Sequence, residues 1–173
     1  MEKETRKLTG TALLLGLMVL FQSLRLFVPI PPFINNFIIG SLVNCCLVLG
    51  LLRFGYISGI TLAIIAPVIA ALQGFLLSPL FILPVAMAHV AYISALWGMM
   101  NLKVHKFLII PISALLKTTV IFSLFVLLFK MVEIPPVIQK MILFVMSWPQ
   151  MITGIIGGSL AFWIDLKLKE ARH

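Results

Sequence analysis

The chain has 173 residues, 62% of them hydrophobic and only 10% charged, with a formal net charge of +8. A soluble domain carries about 25% charged residues, so this is the composition of an integral membrane protein, and one helical bundle uses up the whole length. The positive charge does not point to nucleic acid, because the basic residues stand between apolar runs and at the ends, where they set topology.

In chain order, residues 1–7 form a short charged tail, followed by a first span over residues 8–24. That run lacks a small-residue cleavage site, so no cleaved signal peptide is expected. Ala12 and Gly16 stand four apart within it and open a groove for close helix contact. Gln22 lies near its far end and Arg25 follows. Pro29, Pro31 and Pro32 then predict a stiff, extended, apolar loop over residues 28–36, lying over the membrane surface.

The second span covers residues 37–52 with Asn44 near its middle, and Arg53 and Gly55 make the turn. The adjacent Cys45 and Cys46 have no spaced partner for a metal site or disulfide and read as packing residues. The third span, residues 56–77, contains Pro67, which removes a helix hydrogen bond, and Gln73 near its end. After the tight turn at Ser78 and Pro79 the fourth span, residues 80–100, carries His89, Tyr92 and Trp97. A polar turn with Lys103, His105 and Lys106 leads to the fifth span, residues 107–129. A second proline loop, residues 130–136, precedes a long sixth span over residues 137–164, with Trp148 and Gln150 in its middle.

The fifth span organises the rest. About 20 apolar residues cross the roughly 30 Å core of a bilayer, and this run holds one charge, Lys117, near its centre. An ammonium there costs at least about 2.5 kcal/mol. It is expected to face the bundle interior, toward a partner or a watery cavity. No acid lies at that depth, since the only acids outside the tails are Glu133 in the second proline loop and Asp165 at the inner end of span six. Either the negative partner arrives with the solute, with oxygens of Asn44 and Gln150 holding the ammonium meanwhile, or the lysine is neutral when empty and charges as ligand binds.

Six spans place both termini on one side. Nine basic residues fall on that side (Lys3, Arg6, Lys7, Arg53, Lys103, Lys106, Lys167, Lys169 and Arg172) and three on the other (Arg25, Lys130 and Lys140). The bias predicts cytoplasmic termini, with the proline loops outside. Counting about 1.5 Å per residue, Gln22 and Gln73 lie roughly 6 Å below the outer boundary, Asn44 and His89 roughly 12–15 Å, and Lys117 and Gln150 roughly 18 Å. These six polar residues come one from each span and point to a site that opens outward. Trp148 could add a stacking face; Tyr92 shares the His89 face, and Arg25 is a candidate solute contact or a headgroup anchor. Each has a plain structural alternative: Asn44 and Gln150 as helix bridges, His89 as a packing histidine or proton carrier, Gln22 and Gln73 as surface groups.

No phosphate-binding loop, HExxH or CxxC occurs, and paired carboxylates for acid–base chemistry are missing. No catalytic centre, metal or cofactor is therefore expected. Six short spans, the outer-half polar site and three stretches resemble the substrate-binding S components of energy-coupling factor transporters. The stretches are Gly40 to Asn44, Gly59 through Ala66 and Pro67 to Gly74, and Lys117 within span five. The resemblance implies a subunit that binds a vitamin or other micronutrient from outside and docks on a membrane T subunit driven by two ATPase subunits. In that family docking uses Ala-x-x-x-Ala on the first helix; here Ala12 to Gly16 matches, with glycine in place of the second alanine. Two other readings stand beside it: a small membrane enzyme using His89 and Lys117 as acid and base, and a self-sufficient proton-coupled carrier using His89.

Overall fold

The computed structural model of the chain describes residues 2–27, 31–102 and 104–171. The described residues form helices α1 (Glu2–Phe27), α2 (Pro32–Phe54), α3 (Tyr56–Leu72), α4 (Ile82–Asn101), α5 (Lys106–Met131), α6 (Pro136–Val145) and α7 (Trp148–Glu170), with a 3₁₀ turn at Pro79–Phe81 and no strand. Five stretches are long and apolar enough to cross a membrane, the last of them running through α6 and α7 together, while α3 has 17 residues. Leu8, Leu13, Phe27, Phe107 and Trp163 are among many large apolar side chains on the outside. Such a surface suits lipid, and a water-soluble protein rarely exposes so much.

Local chemistry sets where the helices begin and end. Of the first proline loop, residues 28–30 lie outside the described residues, Pro31 is extended at φ −49° and ψ 135°, and residues 32–36 are helical: α2 starts at Pro32. Proline suits a first helical position, because the N–H it lacks would have no helical partner there. The α2–α3 turn is made by Gly55 alone, at φ 97°, a left-handed conformation that glycine adopts without strain. The third helix stops at Leu72, five residues before the expected Leu77. Gly74 adopts φ 76°, its N–H bonds Ala71 O at 3.0 Å, and Phe75 N–H bonds Ala70 O at 2.9 Å. That paired closure terminates the helix and sends residues 75–78 across its end. Ser78 Oγ then accepts from Leu80 N–H at 3.3 Å to start the 3₁₀ turn.

The single sixth span expected over residues 137–164 is broken at Met146 and Ser147 into α6 and α7. Pro149 has no N–H to give the Val145 carbonyl, so the helix ladder is interrupted. The Gln150 side chain approaches that carbonyl instead, at 3.5 Å, and Ser147 Oγ donates to Phe144 O at 2.6 Å.

α2 is the central helix, packed against α1, α3, α4 and α7; α7, α5 and α4 complete a ring with α3, and α6 leans on α5 and α7. Glycine lets α7 come close. A Cβ on Gly157 would collide with the Ser41 carbonyl oxygen and the Asn44 side chain, and one on Gly154 would lie 3.1 Å from Ala114 Cβ of α5. The start of α1 and the end of α7 lie at one end of the bundle. Gly10 meets Phe54, and Arg53 Nε pairs with Asp165 Oδ1 at 2.6 Å while Lys169 holds the other carboxylate oxygen at 2.7 Å. The opposite end holds the cavity.

Candidate functional site

A cavity of about 310 Å³ opens inside the helix ring. Every helix contributes: Gln22 and Arg25 from α1, Asn36, Gly40, Val43 and Asn44 from α2, Ala66, Pro67 and Ala70 from α3, Val85 and His89 from α4, Lys117 and Ile121 from α5, Met141, Ile142 and Val145 from α6, and Gln150 from α7. Phe75, Leu76, Leu77, Phe81 and Met146 come from the connections. The size falls at the small end of ligand sites, which run from about 300 to 1,000 Å³ and combine apolar walls with a few placed polar groups.

Lys117 is fully buried, and its Nζ donates to Asn44 Oδ1 at 2.9 Å. The ammonium also lies 5.7 Å from the centre of the Tyr92 ring, within cation–π range. Asn44 is 1% exposed and fully engaged, its Nδ2 donating to Gly40 O at 2.8 Å and reaching Thr153 Oγ1 at 3.4 Å. These contacts fix the amide so that its oxygen faces the lysine. Asn44 therefore positions Lys117.

His89, 8% exposed, stands beside the Ala63 backbone, and its Nδ1 is buried without a partner. Pro67 of α3 cannot donate to the carbonyl four residues earlier, which is that of Ala63. Gln22, 4% exposed, donates Nε2 to Ala66 O at 3.2 Å and leaves Oε1 buried without a partner. Arg25 is half-buried, its guanidinium stacked 5.0 Å from the Phe75 ring, with Nε buried and unpartnered. Gln150 lines the wall but does not reach Lys117; its amide turns to Val145 O and, at 3.8 Å, to Met146 Sδ.

Six of the nine residues expected at the site thus meet in one cavity: Gln22, Arg25, Asn44, His89, Lys117 and Gln150. The other three stand elsewhere. Tyr92 lies behind the wall, where its hydroxyl donates to Gly154 O at 2.6 Å. Gln73 caps α3 and donates to Ser23 Oγ of α1 at 2.9 Å. Trp148 is 45% exposed and packs on the outside against Phe37, tilted at 5.9 Å, and Phe144, edge-on at 5.8 Å. Asn36 is a cavity residue that the sequence reading passed over. Its spacing to Gly40 and Asn44, four residues each time, places all three on one face of α2.

Ala12 and Gly16 are exposed on α1, and a Cβ on Gly16 would meet nothing within 4 Å. Comparison of the chain with known protein families, curated proteins and solved structures finds no match.

Proposed function

We propose that this chain is a solute-capturing membrane subunit, the S component of an energy-coupling factor type transporter in the plasma membrane of a prokaryote. Six spans, with α6 and α7 forming the last, put both termini in the cytoplasm, and a vitamin-like micronutrient enters the cavity from outside. A membrane T subunit and two ATPase subunits drive its release, with α1 docking through Ala12 and Gly16. The observation that carries this reading is the cavity: a fully buried cation and two buried polar side chains, each with an atom that lacks a partner, converge in it from three helices. Side chains that only bridged helices would be satisfied by one another. The orientation is supported by the excess of basic residues at the end away from the cavity.

The test is mass spectrometry of the protein purified in mild detergent, together with its co-expressed neighbours. A released small molecule in stoichiometric amount and co-purifying T and ATPase subunits are expected. A protein that releases nothing, binds no solute and migrates alone would defeat the proposal.

A further inference from the structure

Resting on that reading, the cavity also describes the kind of solute it takes. Lys117 Nζ carries three donor protons and gives one to Asn44 within the protein. The Gln22 amide must point its nitrogen at the Ala66 carbonyl, so Oε1 is a free acceptor. His89 lines the same cavity, and its Nδ1 is buried without a partner. A neutral imidazole has one donor and one acceptor nitrogen, so the ring can accept from a neutral donor. Among the described residues no acid lines the cavity, whereas Lys117 and Arg25 both do.

Buried donors and acceptors that lack partners are costly, and a solute that fills them gains what the empty protein forgoes. We infer that the solute is a small hydroxy- or amino-bearing acid with an apolar frame. Its anionic oxygen meets Lys117, and its neutral O–H or N–H groups meet Gln22 Oε1 and the His89 ring. The donors are neutral because their acceptors are neutral and no carboxylate is present to balance an ammonium. A cationic solute would meet two positive side chains and no counter-charge. Phe75, Phe81, Val43 and Ile121 supply the apolar walls for the frame.

The experiment uses the full chain in lipid nanodiscs and calorimetric titration with single-ring probes: the three hydroxybenzoates, their methyl ethers, the corresponding hydroxybenzyl alcohols, and hydroxybenzylamine as the cation. The expected result is that at least one hydroxybenzoate binds tenfold or more tightly than its methyl ether and its alcohol, and that the amine does not bind. Gln22→Met is expected to bring that hydroxybenzoate down to the level of its ether, and His89→Phe to do the same if it melts like the parent protein. A methyl ether that binds as well as its phenol, or a preference unchanged in Gln22→Met, overturns the inference and leaves solute capture standing. Where no probe binds, the molecule released on denaturing the purified protein decides: an acid with a neutral donor supports the inference, and any other molecule overturns it. A protein that binds no probe and releases nothing ends both this inference and the capture reading.

Discussion

Gly157 of α7 presses so closely on Asn44 of α2 that a Cβ on the glycine would stand 2.6 Å from the asparagine Cβ. Asn44 is the residue that holds Lys117, so the packing of α7 on α2 is transmitted to the cavity floor. Gly157→Ala is expected to destabilise the protein by about 1–3 kcal/mol, the usual cost of overpacking, and to weaken solute binding. Gly98→Ala makes the contrast: its new methyl meets nothing within 4 Å, and alanine is the better helix former. Thermal melts of the two variants in the same detergent check the pair.

Lys117 and Asn44 separate charge from position. Lys117→Met is expected to keep the fold and lose on the order of 2–5 kcal/mol of affinity, the range for breaking a buried charge pair. Asn44→Asp places a carboxylate where the amide oxygen now stands, 2.9 Å from the ammonium. The lysine then has a counter-charge inside the protein, and an anionic solute is expected to lose at least tenfold in affinity. Calorimetry on both variants checks this; unchanged affinity in Lys117→Met would make the lysine structural.

Which parts of this arrangement were legible in the sequence follows from the physics of each residue. Lys117, Asn44, His89, Gln22 and Gln150 were legible because a polar group in an apolar run must turn inward, whatever the detailed packing. The pairing of Lys117 with Asn44 was foreseen, but the Gln150 share was not realised, because Pro149 strips the Val145 carbonyl of its donor and the glutamine turns toward it. Pro67 likewise strips the Ala63 carbonyl of its donor, beside His89. Both effects follow from proline chemistry, yet which side chain answers the orphaned carbonyl depends on neighbouring helices. Gly74 was placed inside span three, although a glycine there also provides a helix stop. Trp148 at mid-span suggested pocket or core; the break at Ser147 turns it to the outside.

Orientation has its own test. Cysteines introduced singly at Pro135, between α5 and α6, and at His105, before α5, both replace exposed residues at opposite ends of α5. An impermeant thiol reagent added to intact cells is expected to label the Pro135→Cys protein and to leave His105→Cys unlabelled until the membrane is opened. The native Cys45 and Cys46 are buried and provide little background. The reverse pattern would put the cavity on the cytoplasmic side and end the reading of capture from outside.

The docking surface can be tested without touching the cavity. Gln22 and the other buried residues of α1, Leu14 and Met18, face the bundle, while Ala12 and Gly16 face away from it. A side chain added at Gly16 enters open space within this chain, so Gly16→Trp has nothing to displace in the isolated protein. In a complex the same indole fills the groove through which a partner backbone would approach. Gly16→Trp and Ala12→Trp are therefore expected to bind solute within about twofold of the parent protein, a difference well under 1 kcal/mol. Both are expected to abolish uptake in cells and to lose the T and ATPase subunits on purification. Uptake that survives both tryptophans would free α1 from any docking role, and a loss of binding in the isolated protein would mean that this face supports the bundle itself.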